Sequence, residues 1–110
     1  MDLYGNLQSD IHTLNKKIEE LQNYGYKKAD AEEKYRVALA TFIGERLLQG
    51  DKVSVLGDLA RGQKNIANLR KIRDKWTILY DATLESIYAL KTQIRITETQ
   101  LKLEWGASDS

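Results

Sequence analysis

IANLRKIRDKWTILYDATLESIYALKTQIRITETQLKLEW, residues 66–105, decides what this chain can become. Ile66, Leu69, Arg73, Trp76, Tyr80, Thr83, Ile87, Leu90, Ile94, Thr97, Leu101 and Glu104 follow one another in steps of three and four, and most are apolar or amphipathic. That spacing lines side chains along one face of a helix. No Pro or Gly interrupts the stretch, so nothing obliges the backbone to stop. At about 1.5 Å per residue the helix would be roughly 60 Å long. Propensity alone does not hold such an element together; it needs another helix to lie against.

The partner is supplied upstream. Tyr4, Leu7, Ile11, Leu14, Ile18 and Leu21 repeat the three–four stepping, with polar Gln8, Asp10, Lys16, Lys17, Glu19 and Glu20 between them. This is a two-stranded coiled-coil pattern, and Asp2 is placed to cap its start. At Asn23-Tyr24-Gly25-Tyr26 the register fails, since carrying it forward would put Gly25 and Lys28 on the seam. The stepping resumes at Ala31, Tyr35, Ala38 and Phe42, so the reading is a helix over 1–49 that runs on through a kink or phase shift near 23–26. Gly50 suits the left-handed conformation that ends helices. A short helix over 54–61 follows, with Ser54 as N-cap, Gly62 as its stop, and Val55, Leu56 and Leu59 tucked inward. The long helix then occupies 64–105, and 106–110 is a frayed tail after Gly106.

Two long helices joined by a short connection pack antiparallel. The expected fold is therefore all-α: one helical domain over 1–110, a coiled-coil-like hairpin of long helices with a short helix at the connection. Ala82, Ala89, Ile96 and Leu103 recur every seven residues on a second face, wider than one partner helix covers. A homodimeric bundle would cover it, and so would another protein.

Composition narrows the chemistry. The 110 residues contain no Pro and no Cys, so there is no disulfide, thiol nucleophile or thiolate metal site. The start, MDLYGNLQSD, lacks the basic and apolar segments of a secretory signal, and no apolar run is long enough to span a bilayer. A cytoplasmic protein that does not enter a membrane is the default expectation. His12, the single histidine, follows seam residue Ile11 and faces solvent without Ser, Cys or acidic partners in register. Carboxylates sit in Lys-mixed runs such as Lys27 to Arg36, the pattern of a solvated helix face. Gly57-Asp-Leu-Ala-Arg-Gly62-Gln63-Lys64 lacks the Lys-Ser/Thr order and preceding strand of a phosphate-binding loop. No catalytic residue, cofactor or metal ligand is assigned, and an enzyme is the least favoured class.

Charge is uneven. The net charge is +1, yet residues 51–75 carry seven basic and three acidic side chains, a local +4. Arg61, Lys64, Arg70, Lys71, Arg73 and Lys75 make this patch, which either faces solvent opposite acidic residues of the facing helix or engages an acidic protein or phosphates. Arg73 falls on the seam, where it needs a carboxylate or a route to water. Asp58-Leu-Ala-Arg-Gly62 with Ile66-Ala67 hints at a helix-turn-helix, but the second helix is far too long for a recognition helix, so direct DNA reading is a minor alternative. Trp76, Tyr80 and Tyr35 fall on seam positions. Leu3, Tyr4 and Trp105 lie at chain ends that antiparallel packing brings together, as a staple or a partner anchor. The candidate partner-binding residues are thus Leu3, Tyr4, Arg70, Lys71, Lys75, Ile96, Leu103 and Trp105.

Four stretches, together spanning nearly the full length, carry a family resemblance: the opening Met-Asp-Leu-Tyr; the Asn23 to Gly25 break before Ala29-Asp-Ala-Glu-Glu-Lys-Tyr35; the Val53-Ser54 short helix; and Leu103-Glu-Trp-Gly106. The chain resembles small helical proteins that temperate phages of low-GC Gram-positive bacteria encode among early DNA-recombination genes. Lys64 stands where a proline is usual in that group. The resemblance implies life in the host-cell cytoplasm and one role in particular, the recombination directionality factor of a large serine integrase. Such a protein grips the integrase's mobile coiled coil and redirects it from integration to excision. The resemblance implies contact through Ile96, Leu103 or the basic face, with Leu3 and Tyr4 as a second contact. The alternatives are a self-assembling helical adaptor or scaffold of a phage and a nucleic-acid-binding accessory protein.

Overall fold

The structure, a computed structural model, describes residues 2–108. Three helices compose it: α1, Leu3–Leu48; α2, Val53–Gly62; and α3, Lys64–Ser108, with no strand among the described residues. α1 and α3 pack against each other with the short α2 at the connection, as the seams require. Contacts gather in two compact units. One joins α1 up to Asn23 with α3 from Asp81 onward; the other is Tyr24–Tyr80 and includes α2.

In the first unit the seam is largely a dry one. Ile87, Ile94 and Leu101 are buried and Leu7, Leu14, Ile18 and Leu21 are half-buried. Thr97 is also buried; its hydroxyl donates to the Gln93 carbonyl at 3.0 Å, so the polar atom is satisfied within its own helix. Tyr4 and Ile11, although in register, remain exposed. Asp2 takes the N-cap position: its carbonyl accepts the Asn6 N–H at 3.0 Å, and its carboxylate lies over Gly5.

In the second unit α1 runs on as expected, but without the expected shift of phase. α1 is one uninterrupted helix through Gly25, and the stepping carries straight on to Gly25, Lys28, Glu32, Tyr35, Leu39 and Phe42, all buried or half-buried. Gly25 is a recess in the seam: a Cβ added there would meet the Tyr80 ring at 3.4 Å. Lys28 keeps its place by laying its ammonium over the same ring, 4.7 Å from the centroid. Ala31 and Ala38 widen the stripe because α2 also packs in this unit. Its core is Tyr35, Ala60 and Ile66, surrounded by Ala38, Leu39, Phe42, Ile43 and Leu69.

The ends of α1 and α2 divide into one expected and several unexpected outcomes. Gly50 has φ +91°, and Gly50 N–H to Leu47 O (3.0 Å) with Asp51 N–H to Arg46 O (3.1 Å) forms the paired closure of a Schellman motif. Arg46 and Asp51 add an ion pair across the same turn. Ser54, by contrast, is not the N-cap of α2. Lys52 holds that position in extended conformation without a side-chain cap, so α2 starts one residue before Ser54. α2 buries Leu56 and Ala60, while Val55 and Leu59, one position earlier and so about 100° round the helix, stay exposed. Gly62 is the last helical residue; the stop is Gln63, extended at φ −67°, ψ 131°. Gln63 serves both helices: its N–H donates to Ala60 O at 3.1 Å, and its carbonyl accepts the Ala67 N–H at 2.8 Å.

At the other end α3 does not stop at Glu104 or Trp105. It continues through Gly106 to Ser108, since one glycine costs about 1 kcal/mol in a helix and no positive φ turns the chain there. Asp109 and Ser110 of the expected tail lie outside the described residues, as does Met1 of the opening motif.

Candidate functional site

The basic stretch folds onto the start of α3, and the seam sorts its members. Arg73 points into the α1/α3 contact, where Nε lies 3.6 Å from Glu32 Oε2 of α1 and the guanidinium stacks 4.5 Å over the Tyr35 ring. Its Nε and Nη2 also donate to Asp74 Oδ1 at 3.0 and 2.9 Å. The seam charge thus has its carboxylates. Those Asp74 hydrogen bonds are the main cause of a guanidinium pKa raised above its ordinary value, with partial burial opposing and the Asp74 and Glu32 charges adding. Arg61 reaches its own helix neighbour Asp58 at 3.5 Å.

The remaining four cations are different. Lys64, Arg70, Lys71 and Lys75 are exposed, and none forms an ion pair among the described residues. The facing helix therefore does not balance them. Arg70, Lys71 and Lys75, with Asp74 whose carboxylate is taken by Arg73, border a shallow groove floored by Ala67, Ile78 and Leu79, and Ile78 is 67 % exposed there. Cations around an apolar floor form an amphipathic cradle suited to a helix with acidic flanks. Ile78 escaped the sequence reading, although it stands four residues before Ala82 and stepping that second face backward reaches it.

Beside this groove runs a belt of aromatics and cations. Trp76 is flanked by the Lys27 and Lys75 ammonium groups, 4.5 and 4.7 Å from the ring, and meets Tyr24 at 6.0 Å between centroids. Trp76 and Tyr80 sit on the seam as expected, half-buried. Lys27 and Lys28 of α1, which cover Trp76 and Tyr80, were not legible beforehand, because α1's register near Gly25 was read as broken.

The other candidates lie in the first unit. Tyr4 is exposed and its hydroxyl accepts from Gln8 Nε2 at 2.9 Å, while Leu3 is half-buried. Trp105 is 58 % exposed. Ile96 (49 %) and Leu103 (69 %) face outward from α3 with Ala82 and Ala89, so the second face is uncovered in the single chain. The structure therefore brings Arg70, Lys71 and Lys75 to one groove, and Ile96 and Leu103 to one stripe; it does not gather all eight residues in one place.

Among the described residues no three His, Cys, Asp or Glu side chains cluster to hold a metal ion, and His12 is exposed. No described helix is long and apolar enough to cross a membrane. Comparison with protein families, with characterised proteins and with solved structures finds no match to this chain.

Proposed function

We propose that this protein is a non-enzymatic regulator that binds another protein through helix–helix contact, using the cationic groove at the start of α3. One observation carries the reading: Arg70, Lys71 and Lys75 surround exposed apolar residues and form no ion pair among the described residues. Exposed cations beside an apolar floor attract a helix whose apolar stripe is bordered by Glu or Asp. Within the phage group that the chain resembles, the matching role is that of a recombination directionality factor in the host cytoplasm. The partner is then the mobile coiled coil of a large serine integrase, and the protein acts by favouring the arrangement that excises over the one that integrates. No bond is made or broken by the protein itself.

The test is a pull-down with an integrase C-terminal fragment, with and without its coiled coil. Binding that requires the coiled coil and disappears in the R70E/K71E/K75E variant is the expected result. Absence of binding at micromolar concentrations eliminates the integrase reading. The same cations also fit a phosphate backbone, so a mobility shift on duplex DNA without partner, repeated at rising salt, separates the nucleic-acid alternative.

A further inference from the structure

The uncovered stripe on α3 is self-complementary. Ala82, Glu85, Ala89, Thr92, Ile96 and Thr99 continue the three–four stepping on the side of α3 away from α1, and all are exposed. α1 has no equivalent: its outward positions Thr13, Lys16, Glu20 and Asn23 are polar. Glu85 is the one charge on the stripe, and the two threonines add little polarity to it. Thr92 and Thr99 donate their hydroxyls to Tyr88 O (3.1 Å) and Arg95 O (3.0 Å) of their own helix, leaving the methyl groups for contact. Small residues and methyls let a second helix come close, and Ile96 supplies apolar bulk.

Charge says which helix. Along one flank of the stripe stand Asp81, Tyr88, Arg95 and Lys102, seven residues apart and all exposed. None of Asp81, Arg95 and Lys102 has an ion-pair partner among the described residues. The column is negative at one end, aromatic next, and positive over its second half. A copy of the same helix laid antiparallel puts Asp81 against Lys102 and Tyr88 against Arg95, twice over by symmetry. Ala82 then faces Thr99, Ala89 faces Thr92, and Glu85 faces Ile96. Laid parallel, this flank would face the opposite flank of the copy, Ser86, Gln93 and Gln100, and none of its charges would be paired.

We infer that this face of α3 is covered by a second copy of the chain, antiparallel about an axis between Leu90 and Lys91. The inference does not depend on which ligand the Arg70, Lys71 and Lys75 groove takes.

Sedimentation equilibrium tests the state, and cysteine cross-linking tests the orientation against a background free of native cysteine. A concentration-dependent dimer is expected, and a monomer at millimolar concentration overturns the inference. I96K/L103K replaces only exposed side chains. It should give monomers with unchanged helicity by circular dichroism; a persisting dimer places the interface elsewhere and overturns the inference. R95E/K102E should weaken association by on the order of ten-fold or more, and mixing it with D81K should recover it. A82C mixed with T99C should cross-link efficiently. T99C alone should not, because antiparallel pairing holds its two sulfurs about 25 Å apart along the axis. Efficient T99C self-cross-linking means parallel pairing and overturns the inference.

Discussion

Replacing Gly25 with Ala should stabilise this protein, and the sign of the effect tests the continuity of α1. Gly25 lies in the interior of a 46-residue helix, where Ala is favoured over Gly by about 1 kcal/mol. The added Cβ arrives 3.4 Å from Tyr80 Cε2, the near edge of ordinary van der Waals contact, so the ring need barely move. The expected net gain is about 0.5–1 kcal/mol, which for a domain of this size raises Tm by roughly 3–6 °C. Urea denaturation should show a higher midpoint with an unchanged slope. Gly44, with open space around it, provides the control: G44A should gain the same propensity, and the difference between the two isolates the Tyr80 contact. Gly50 is the opposite case. Its φ of +91° makes G50A destabilising by about 1–2 kcal/mol. A G25A variant less stable than the parent, by melting and by urea alike, would refute a helix running unbroken past Tyr80.

Leu56→Ala, in a side chain only 1 % exposed, should cost about 2–4 kcal/mol by chemical denaturation. Ala60→Leu should also destabilise, by about 1–3 kcal/mol, since Ala60 is fully enclosed against Tyr35 and Ile66; a neutral result would mean α2 packs loosely. Arg73→Gln should cost on the order of 1 kcal/mol, because it removes the Glu32 pair and the Tyr35 stack together. The Arg73 pKa is raised on folding, so its contribution is fully present below the unfolded-state value and is lost only as pH rises through the still higher folded value. Between pH 6 and 9 the difference between R73Q and the parent should therefore be constant, while added salt should shrink it.

The hairpin was legible because its information is periodic. From Ile66 to Leu101 every position of the α3 seam is buried or half-buried, and only Glu104 at the far end is exposed. Partner requirements were readable in the same way: a charge on a seam demanded a carboxylate, and Arg73 has Glu32. What failed were the places where one residue's role depends on a distant one. Gly25 looks like a breaker until Tyr80, contributed by α3, fills the space above it. Ser54 has the right chemistry for a cap, but the chain enters α2 one residue early. Val55 and Leu59 are apolar, yet it is Leu56 and Ala60 that face the junction. For the candidate site, charge density located the cations, but only coordinates could separate Arg73 and Arg61, which have carboxylates, from the four that do not.

The joint at Gln63 constrains how this chain can change. A single extended residue separates α2 from α3, and both Ala60 before it and Ile66 after it enter the same small core. One residue inserted there would turn α3 by about 100° about its axis relative to α2, swinging Ile66 away from Ala60. The segment should therefore accept many substitutions at Gln63 itself but almost no change in length. Across variants of this protein, insertions and deletions should avoid residues 62–65 even though all four residues stand in the open.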